Sequence, residues 1–332
     1  MQGRTEPRLS IGVPVYNGER FLPILLACLA QQTYEDYEII ISDNASTDRT
    51  AEICKAWMER DGRIQYHRNT ENIGACANFN RVFELSTAPL FKWAACDDTY
   101  HPDYLAECVR ILDENPDVIL AQSDVVCVEA SGQPFQRDQK TGAFVIPGTD
   151  LLYYTDPVDI GESSSATRRF YDVLCRCRSN AQIFGVMRRE ALAMTALLPT
   201  YLGSEKRTVL ELALVGRFKQ CRRPLFNRCY HPDITEAKVG SKGATYIAGR
   251  DIRRSRALTM LKSFLGAPNG KPIGWATYLA CYALLAARGM QFASRAFTRS
   301  DARYWPFRTA WGNSNTPTDC PLQNGERIVP SE

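Results

Sequence analysis

Apolar and polar residues fall into short alternating blocks along the first 130 positions. Residues 9–15 (LSIGVPV) form an apolar run of strand length, and Pro14 confines it to a strand end or an edge position. A turn at Tyr16-Asn17-Gly18-Glu19 follows. Phe21, Leu22, Leu25, Leu26 and Leu29 then recur on one face of a helix predicted over residues 19–31. Residues 37–42 (YEIIIS) predict a second buried strand. It ends in Asp43-Asn44-Ala45-Ser46-Thr47-Asp48, where Ser and Asp are natural helix caps. A helix to residue 59, a strand over 63–67, a helix over 72–86, a strand over 90–95, a helix over 102–114 and a strand over 118–128 complete the series. This order predicts an α/β fold with a doubly wound, mostly parallel sheet. Right-handed connections then gather Asp43, after the second strand, and Asp97-Asp98, after the fourth, at one carboxyl edge.

The pattern changes beyond residue 130. Residues 131–170 are rich in Gly, Pro, Ser and Thr, include Tyr153-Tyr154, and read as a loop-rich excursion with one short amphipathic helix. Residues 183–187 predict a strand, and 189–198 and 208–216 predict helices. Residues 231–249 carry turn signals, 250–300 are mainly helical, and 312–332 have the composition of a tail. No internal repeat is present.

Composition narrows the classes. The chain has 332 residues, enough for one large α/β domain, and 45% are hydrophobic, as in an ordinary packed core. The net charge of +3 is scattered, so nucleic acid is not an expected partner. The pairs Arg168-Arg169, Arg222-Arg223 and Arg253-Arg254 read as solvated faces. The 12 cysteines sit mostly in apolar segments, and with no secretory pattern they predict reduced thiols in the cytoplasm. Cys175-Arg176-Cys177 lacks the two-residue spacer of a zinc or redox motif and reads as structural. The longest apolar stretch, 273–287, is broken by Gly274 and too short to span a bilayer. A packed helix or one lying on the inner face of the membrane both remain open for it, and so does peripheral membrane association.

The candidate chemistry centres on Phe91-Lys92-Trp93-Ala94-Ala95-Cys96-Asp97-Asp98. A buried strand runs into two adjacent carboxylates, which repel each other. A divalent cation between them and a polyphosphate accounts for the pair, since Mg²⁺ and Mn²⁺ take one or two protein carboxylates and fill the rest with phosphate and water. The alternative is a solvated turn that caps the next helix. No Gly-x-Gly-x-x-Gly or Gly-x-x-x-x-Gly-Lys-Ser/Thr loop is present, which argues against a nicotinamide dehydrogenase or a P-loop NTPase.

Pro14-Val15-Tyr16-Asn17, the 43–48 turn, Asn72-Ile73-Gly74 and Asp97-Asp98 together resemble the inverting family-2 glycosyltransferases of the GT-A fold. The resemblance is strong over residues 9–110, continues at 184–192 and 203–226 with His231-Pro232, and fades after 240. It implies a nucleotide-sugar-binding half over 1–128, an acceptor-binding half over 129–240, and a helical C-terminal region and tail over 241–332. Pro14, Val15, Tyr16, Glu19, Asn72 and Asp97 would line the nucleotide pocket. Asp43 would accept a hydrogen bond from a pyrimidine base. Asp97 and Asp98, with His231, would hold Mn²⁺ or Mg²⁺, and Arg228 and Lys238 would face the donor phosphates. Many members carry Asp-x-Asp-Asp, where this chain has Ala95, so which of the pair binds metal stays open.

The resemblance also places the catalytic base, usually an Asp just before a helix, at Glu205 in Gly203-Ser204-Glu205. The alternatives for that role are Asp156, Asp159, Glu162 and Glu211. Expected partners are a nucleotide-diphosphate sugar, UDP- or dTDP-linked by preference, and a glycan, lipid-linked or small-molecule acceptor. The competing reading is a non-catalytic binding module on the same fold, which Ala95 and Glu205 keep open. The oligomeric state is not legible.

Overall fold

The first apolar run becomes the third strand of an eight-stranded sheet. The structure, a computed structural model, describes residues 6–146, 152–200 and 204–230, with Ala283 and Leu284. In chain order the elements are β1 (Leu9–Val15), α1 (Leu22–Ala30), β2 (Tyr37–Asp43), α2 (Thr50–Arg60), β3 (Ile64–Arg68), α3 (Ala75–Glu84), β4 (Leu90–Trp93), β5 (Thr99–Tyr100), α4 (Tyr104–Glu114) and β6 (Val118–Glu129). A small hairpin of β7 (Phe144–Val145) and β8 (Leu152–Tyr153) leads to α5 (Ala166–Cys175). A 3₁₀ turn (Ala181–Phe184), β9 (Val186–Arg188), α6 (Arg189–Ala193), α7 (Ser204–Val215) and β10 (Arg217–Tyr230) follow.

The strand order is β3-β2-β1-β4-β9-β6-β10-β5. The β3-β2-β1-β4 half is parallel, β9 runs antiparallel between β4 and β6, β10 is parallel to β6, and β5 is antiparallel on the far side of β10. Pro14 fits inside this sheet for a specific reason. Gly12 offers its carbonyl to Ala94 N–H at 2.9 Å, so even-numbered residues of β1 face β4. The β1–β4 register ends at Gly12↔Trp93, and Pro14 faces that side beyond the ladder, where no N–H is required.

Helices cover both faces. Leu25 and Leu29 of α1, Cys54 of α2 and Leu105 of α4 are fully buried in one core. Val82 of α3, Phe170 and Val173 of α5, and Val209 and Leu212 of α7 fill the other. Each such side chain contributes about 1.5–3 kcal/mol by leaving water. Helix α3 sits so close to the sheet that a Cβ on Gly12 would lie 2.6 Å from Val82 Cγ2. Phe135, Phe144 and Ile146 pack a third, small core under the hairpin.

The structure departs from sequence expectation in places. The apolar run at 183–187 is a buried 3₁₀ turn followed by a three-residue strand; Gly185 separates them because a Cβ there would lie 2.7 Å from Ala121 O. The long β10 has no counterpart in the sequence reading. Register shifts around Cys221–Pro224 break its alternation of apolar and polar residues. Arg169 is not on a solvated face: it is 5% exposed and its guanidinium donates to the carbonyls of Ser163, Ser164 and Ala213. All ten cysteines among the described residues are free thiols. No helix among them is long and apolar enough to cross a membrane, and the stretch 273–287 lies outside them apart from Ala283 and Leu284.

Candidate active site

Three loops at the carboxyl edge are bonded into one rim. Asn44 N–H donates to Val15 O at 2.8 Å, carrying the β1–β2 ladder one step past the strands. Asn17, in the left-handed region at φ 52°, donates its N–H to Ser46 Oγ (2.9 Å) and accepts Thr47 N–H on Oδ1 (2.9 Å). Gly18 N–H donates to Thr50 Oγ1, Glu19 N–H to Asp48 Oδ2, and Arg49 N–H returns to Glu19 Oε2 at 3.2 Å. Asn72 joins from the third loop: its Oδ1 accepts Asn44 Nδ2 at 2.8 Å and Gly74 N–H at 2.9 Å. Asn44 Oδ1 in turn accepts Ile73 N–H and Asn69 Nδ2. Pro14 and Val15 form the buried floor, Tyr16 is half-buried, and Glu19 and Asn72 are exposed on the rim.

Asp43 is the anchor of the second loop. Its side chain is 0% exposed. One oxygen accepts Ser46 N–H at 2.8 Å and the other accepts the Tyr66 hydroxyl at 2.7 Å, with Arg68 Nη1 3.6 Å away. Burial first, and then this carboxylate, push the Tyr66 hydroxyl well above its usual range. Asp43 closes a local turn and does not cap the helix; Asp48 serves the start of α2, accepting Thr50 N–H at 3.0 Å.

The acidic pair is not a helix cap either. Helix α4 begins at Tyr104, and its flanking residue is Asp103. Asp98 N–H donates to Ala95 O at 3.2 Å, and Asp98 Oδ1 accepts the N–H of Cys229 on β10 at 3.0 Å. The turn from β4 to β5 is thus tied across to the far half of the sheet. Asp98 is 3% exposed and Asp97 is half-buried. Burial, then the neighbouring Asp97, push the Asp98 carboxyl well above the usual range, against the pull of Arg228, the Cys229 N–H and Lys92. The Cys96 thiol is raised by burial and by both carboxylates. An ionised Asp98 calls for positive charge nearby. Arg228 supplies part of it from β10, its Nη1 donating to the Tyr153 hydroxyl (2.7 Å) and Ser179 O (3.1 Å).

The residues fit a hard divalent cation. Their oxygens are of the right chemistry, and an ionised buried Asp98 beside Asp97 calls for compensating charge. No group of three or more His, Cys, Asp or Glu poised for a metal occurs among the described residues, and within them the candidate ligands are Asp97 and Asp98. His231 and Lys238 lie outside those residues.

Glu205 stands in the first turn of α7, half-buried. Its neighbour Ser204 places Oγ 3.8 Å from Cys76 Sγ in the first turn of α3, and Glu205 acts electrostatically on that thiol. A chain of contacts therefore runs from Asn44 through Asn72-Ile73-Gly74 to the start of α7. Three of the four alternative carboxylates are committed elsewhere. Asp156 accepts Ser179 N–H and Oγ, Gln182 Nε2 and Arg178 N–H. Asp159 pairs with Arg176 at 2.6 Å. Glu211 is 0% exposed, pairs with buried Arg207 at 3.1 Å and accepts Ala196 N–H. Its place further along the helix suggests a surface or interdomain pair for Glu211, and the structure puts it in the core instead. The sequence reading omits the asparagine set Asn17, Asn44, Asn69 and Asn78, which braces the rim; the visible signal is Asn at successive strand ends.

A Rossmann-like, mostly parallel sheet with three bonded loops and an acidic turn at one edge is the GT-A fold. The crystal structure of an S. aureus TarS fragment in complex with UDP-GlcNAc superposes with a TM-score of 0.59 at 14% identity, covering 89% of this chain and 76% of that one. Residues 10–174 match glycosyl transferase family 2, so that stretch carries a domain of this family. A Streptococcus pneumoniae protein named glycosyltransferase GlyA is 34% identical over 154 residues, 46% of this chain and 20% of that protein. A PGL/p-HBAD biosynthesis glycosyltransferase of Mycobacterium tuberculosis is 32% identical over 122 residues, 36% of this chain and 47% of that protein. The chain thus spans half or less of the length of these curated relatives.

Proposed function

We propose that the chain is a metal-dependent inverting glycosyltransferase. It moves a sugar from a nucleotide-diphosphate sugar, UDP- or dTDP-linked, to an acceptor hydroxyl in polysaccharide or glycoconjugate synthesis. One observation carries the reading: the Asp97-Asp98 turn caps no helix and is bonded instead to β10, at the edge that also holds the rim of residues 14–19, 43–48 and 72–74. The likeness to a protein solved with UDP-GlcNAc supports a uridine donor.

In this reading Pro14, Val15 and Tyr16 form the floor of the nucleotide pocket, with Glu19, Asn72 and Asp97 around it. Asp43 marks the base end. Half-exposed Arg68 lies over its carboxylate, which meets an imide N–H once Arg68 turns away. Asp97 and Asp98, with His231, would hold a divalent cation, which would supply positive charge to the leaving diphosphate. Glu205 takes the proton of the acceptor hydroxyl as the acceptor oxygen bonds to the anomeric carbon. The bond from that carbon to the diphosphate oxygen breaks on the opposite face, and the nucleoside diphosphate carries away the electron pair.

The test is a thermal-shift screen with UDP-, dTDP- and GDP-sugars, with and without Mn²⁺, followed by donor turnover. A ligand that binds only the folded state raises apparent stability. Metal-dependent shifts with turnover support the enzyme; shifts without turnover under any condition favour the binding module; no shift with any nucleotide sugar overturns both.

A further inference from the structure

Strand β4 carries a lysine in the interior of the sheet. Lys92 is 0% exposed, and no carboxylate pairs with it among the described ion pairs. Its Nζ donates to Phe184 O at 2.7 Å and Trp93 O at 3.1 Å, and lies 3.9 Å from the centroid of the Tyr100 ring. The three N–H bonds of an ammonium are thereby directed at two carbonyls and one π face. The rings of Tyr104 and Phe226 stand at 4.8 and 5.8 Å, and the Tyr104 hydroxyl donates to the same Phe184 carbonyl at 3.0 Å. Tyr100 stacks on Phe226 with centroids 5.1 Å apart. Burying an ammonium without a carboxylate partner is costly, and burial lowers the Lys92 pKa to about 7. An apolar side chain would serve the core better.

The position of Lys92 accounts for that cost. It lies next to the last residue of β4, and Tyr100 is the last residue of β5. The acidic turn spans the gap between them. We propose that Lys92 and Tyr100 staple the two ends of that turn and act as positioning residues that hold Asp97 and Asp98 at the donor diphosphate. The proposal rests on the donor-site reading above. The ring is the working part of Tyr100, because its buried hydroxyl has no hydrogen-bond partner among the described residues.

The experiment uses the full chain at pH 6.5, where Lys92 is mostly charged. It compares Lys92→Met, Tyr100→Leu, their double variant, Tyr100→Phe and, as a packing control in the other core, Phe170→Leu. Two quantities are read: amide hydrogen exchange of residues 94–100 in the free protein, and UDP affinity with and without Mn²⁺ by calorimetry. Lys92→Met and Tyr100→Leu should each speed exchange in 94–100 and leave β1 unchanged. Each should weaken Mn²⁺-dependent UDP binding about tenfold, in the range of a desolvated cation–π contact. The double variant should be no worse than either single one, as expected of two halves of one interaction. Tyr100→Phe should restore both readouts, and Phe170→Leu should lower Tm and move neither. Unchanged exchange in 94–100 overturns the staple. Faster exchange with unchanged Mn²⁺-dependent affinity overturns its role at the site. An unaltered chain that gains no UDP affinity from Mn²⁺ overturns the donor-site reading, and the exchange data then decide the staple alone.

Discussion

Asp98 Oδ1 accepts the backbone N–H of Cys229 at 3.0 Å, joining residues 131 positions apart. This bond couples the acidic turn after β4 to the last described strand. It also tells the two carboxylates apart. Asp98 is buried and held from behind, and Asp97 is the more accessible partner.

Replacing either carboxylate should therefore separate site from fold. Asp97→Ala and Asp98→Asn should both abolish Mn²⁺-stimulated donor turnover, and chelation of the metal should do the same to the unaltered chain. Asp98→Asn keeps an acceptor for Cys229 N–H and removes a buried charge, so its thermal midpoint should stay equal or rise. Turnover near the unaltered rate in both variants would show that the pair is not the metal site.

Asp43 should behave differently, since it is bonded into the fold on both oxygens. Asp43→Ala leaves Ser46 N–H and the Tyr66 hydroxyl without their acceptor, at about 1–3 kcal/mol for each buried group left unsatisfied. A loss of that size lowers Tm by roughly 2–4 °C per kcal/mol in a chain of this class. Nucleotide affinity should fall as well, because the 43–48 turn carries Ser46 and Thr47, which hold Asn17. Melting curves and calorimetry with UDP read the two effects separately. A variant with unchanged Tm and unchanged affinity for every nucleoside diphosphate would remove Asp43 from the site.

The parallel half of the sheet was legible because each strand there is buried on both faces and reads as an unbroken apolar run. The second half was harder. Residues 183–187 are as apolar as a strand, but periodicity does not tell a buried 3₁₀ turn from one. Strand β10 was hidden by its own bulges, which shift Arg222 and Arg223 out to solvent and interrupt the alternation. The positions of candidate residues were legible where a side chain falls at or just after a strand end, as at Asp43 and Asp97. The asparagine bracing was not, since it depends on loops distant in sequence meeting at one edge. Lys92 was invisible as well: a lysine inside an apolar run reads as an edge or a snorkelling side chain until the three rings around it are in place.

Lys92 also sets a pH dependence. Its folded pKa, about 7 through burial, lies below the roughly 10.4 of an unfolded lysine. Between those values the unfolded chain holds one more proton at this site, so this group's contribution to stability rises with pH and its penalty is complete below pH 7. The groups acting on it are Asp98 in the acidic turn, Cys28 on α1 and Cys108 on α4, all of which favour its charged form. Between pH 7 and 8.5 the unaltered protein should gain stability relative to Lys92→Met, a comparison in which the titration of the shared thiols cancels. The slope should be up to ~1.4 kcal/mol per pH unit. Denaturant melts of both proteins across that range measure it; parallel curves would show that Lys92 is not protonated differently in the two states.

In the proposed mechanism Glu205 takes the remaining step, removal of the acceptor proton. Three of its four rivals are occupied: Asp156 by backbone and side-chain donors, Asp159 by Arg176, and Glu211 by Arg207 in the core. Glu205 instead sits half-buried at the head of α7, beside the start of α3 and next to the loop that carries Asn72. Glu205→Gln keeps its shape and removes its basicity. Donor affinity should be unchanged, because the donor rim does not depend on that charge. Turnover should fall by about 10²–10⁴-fold, the usual worth of a positioned base. A Glu205→Gln protein that retains most of its turnover would pass the role to Glu162, whose side chain makes no hydrogen bond or ion pair among the described residues.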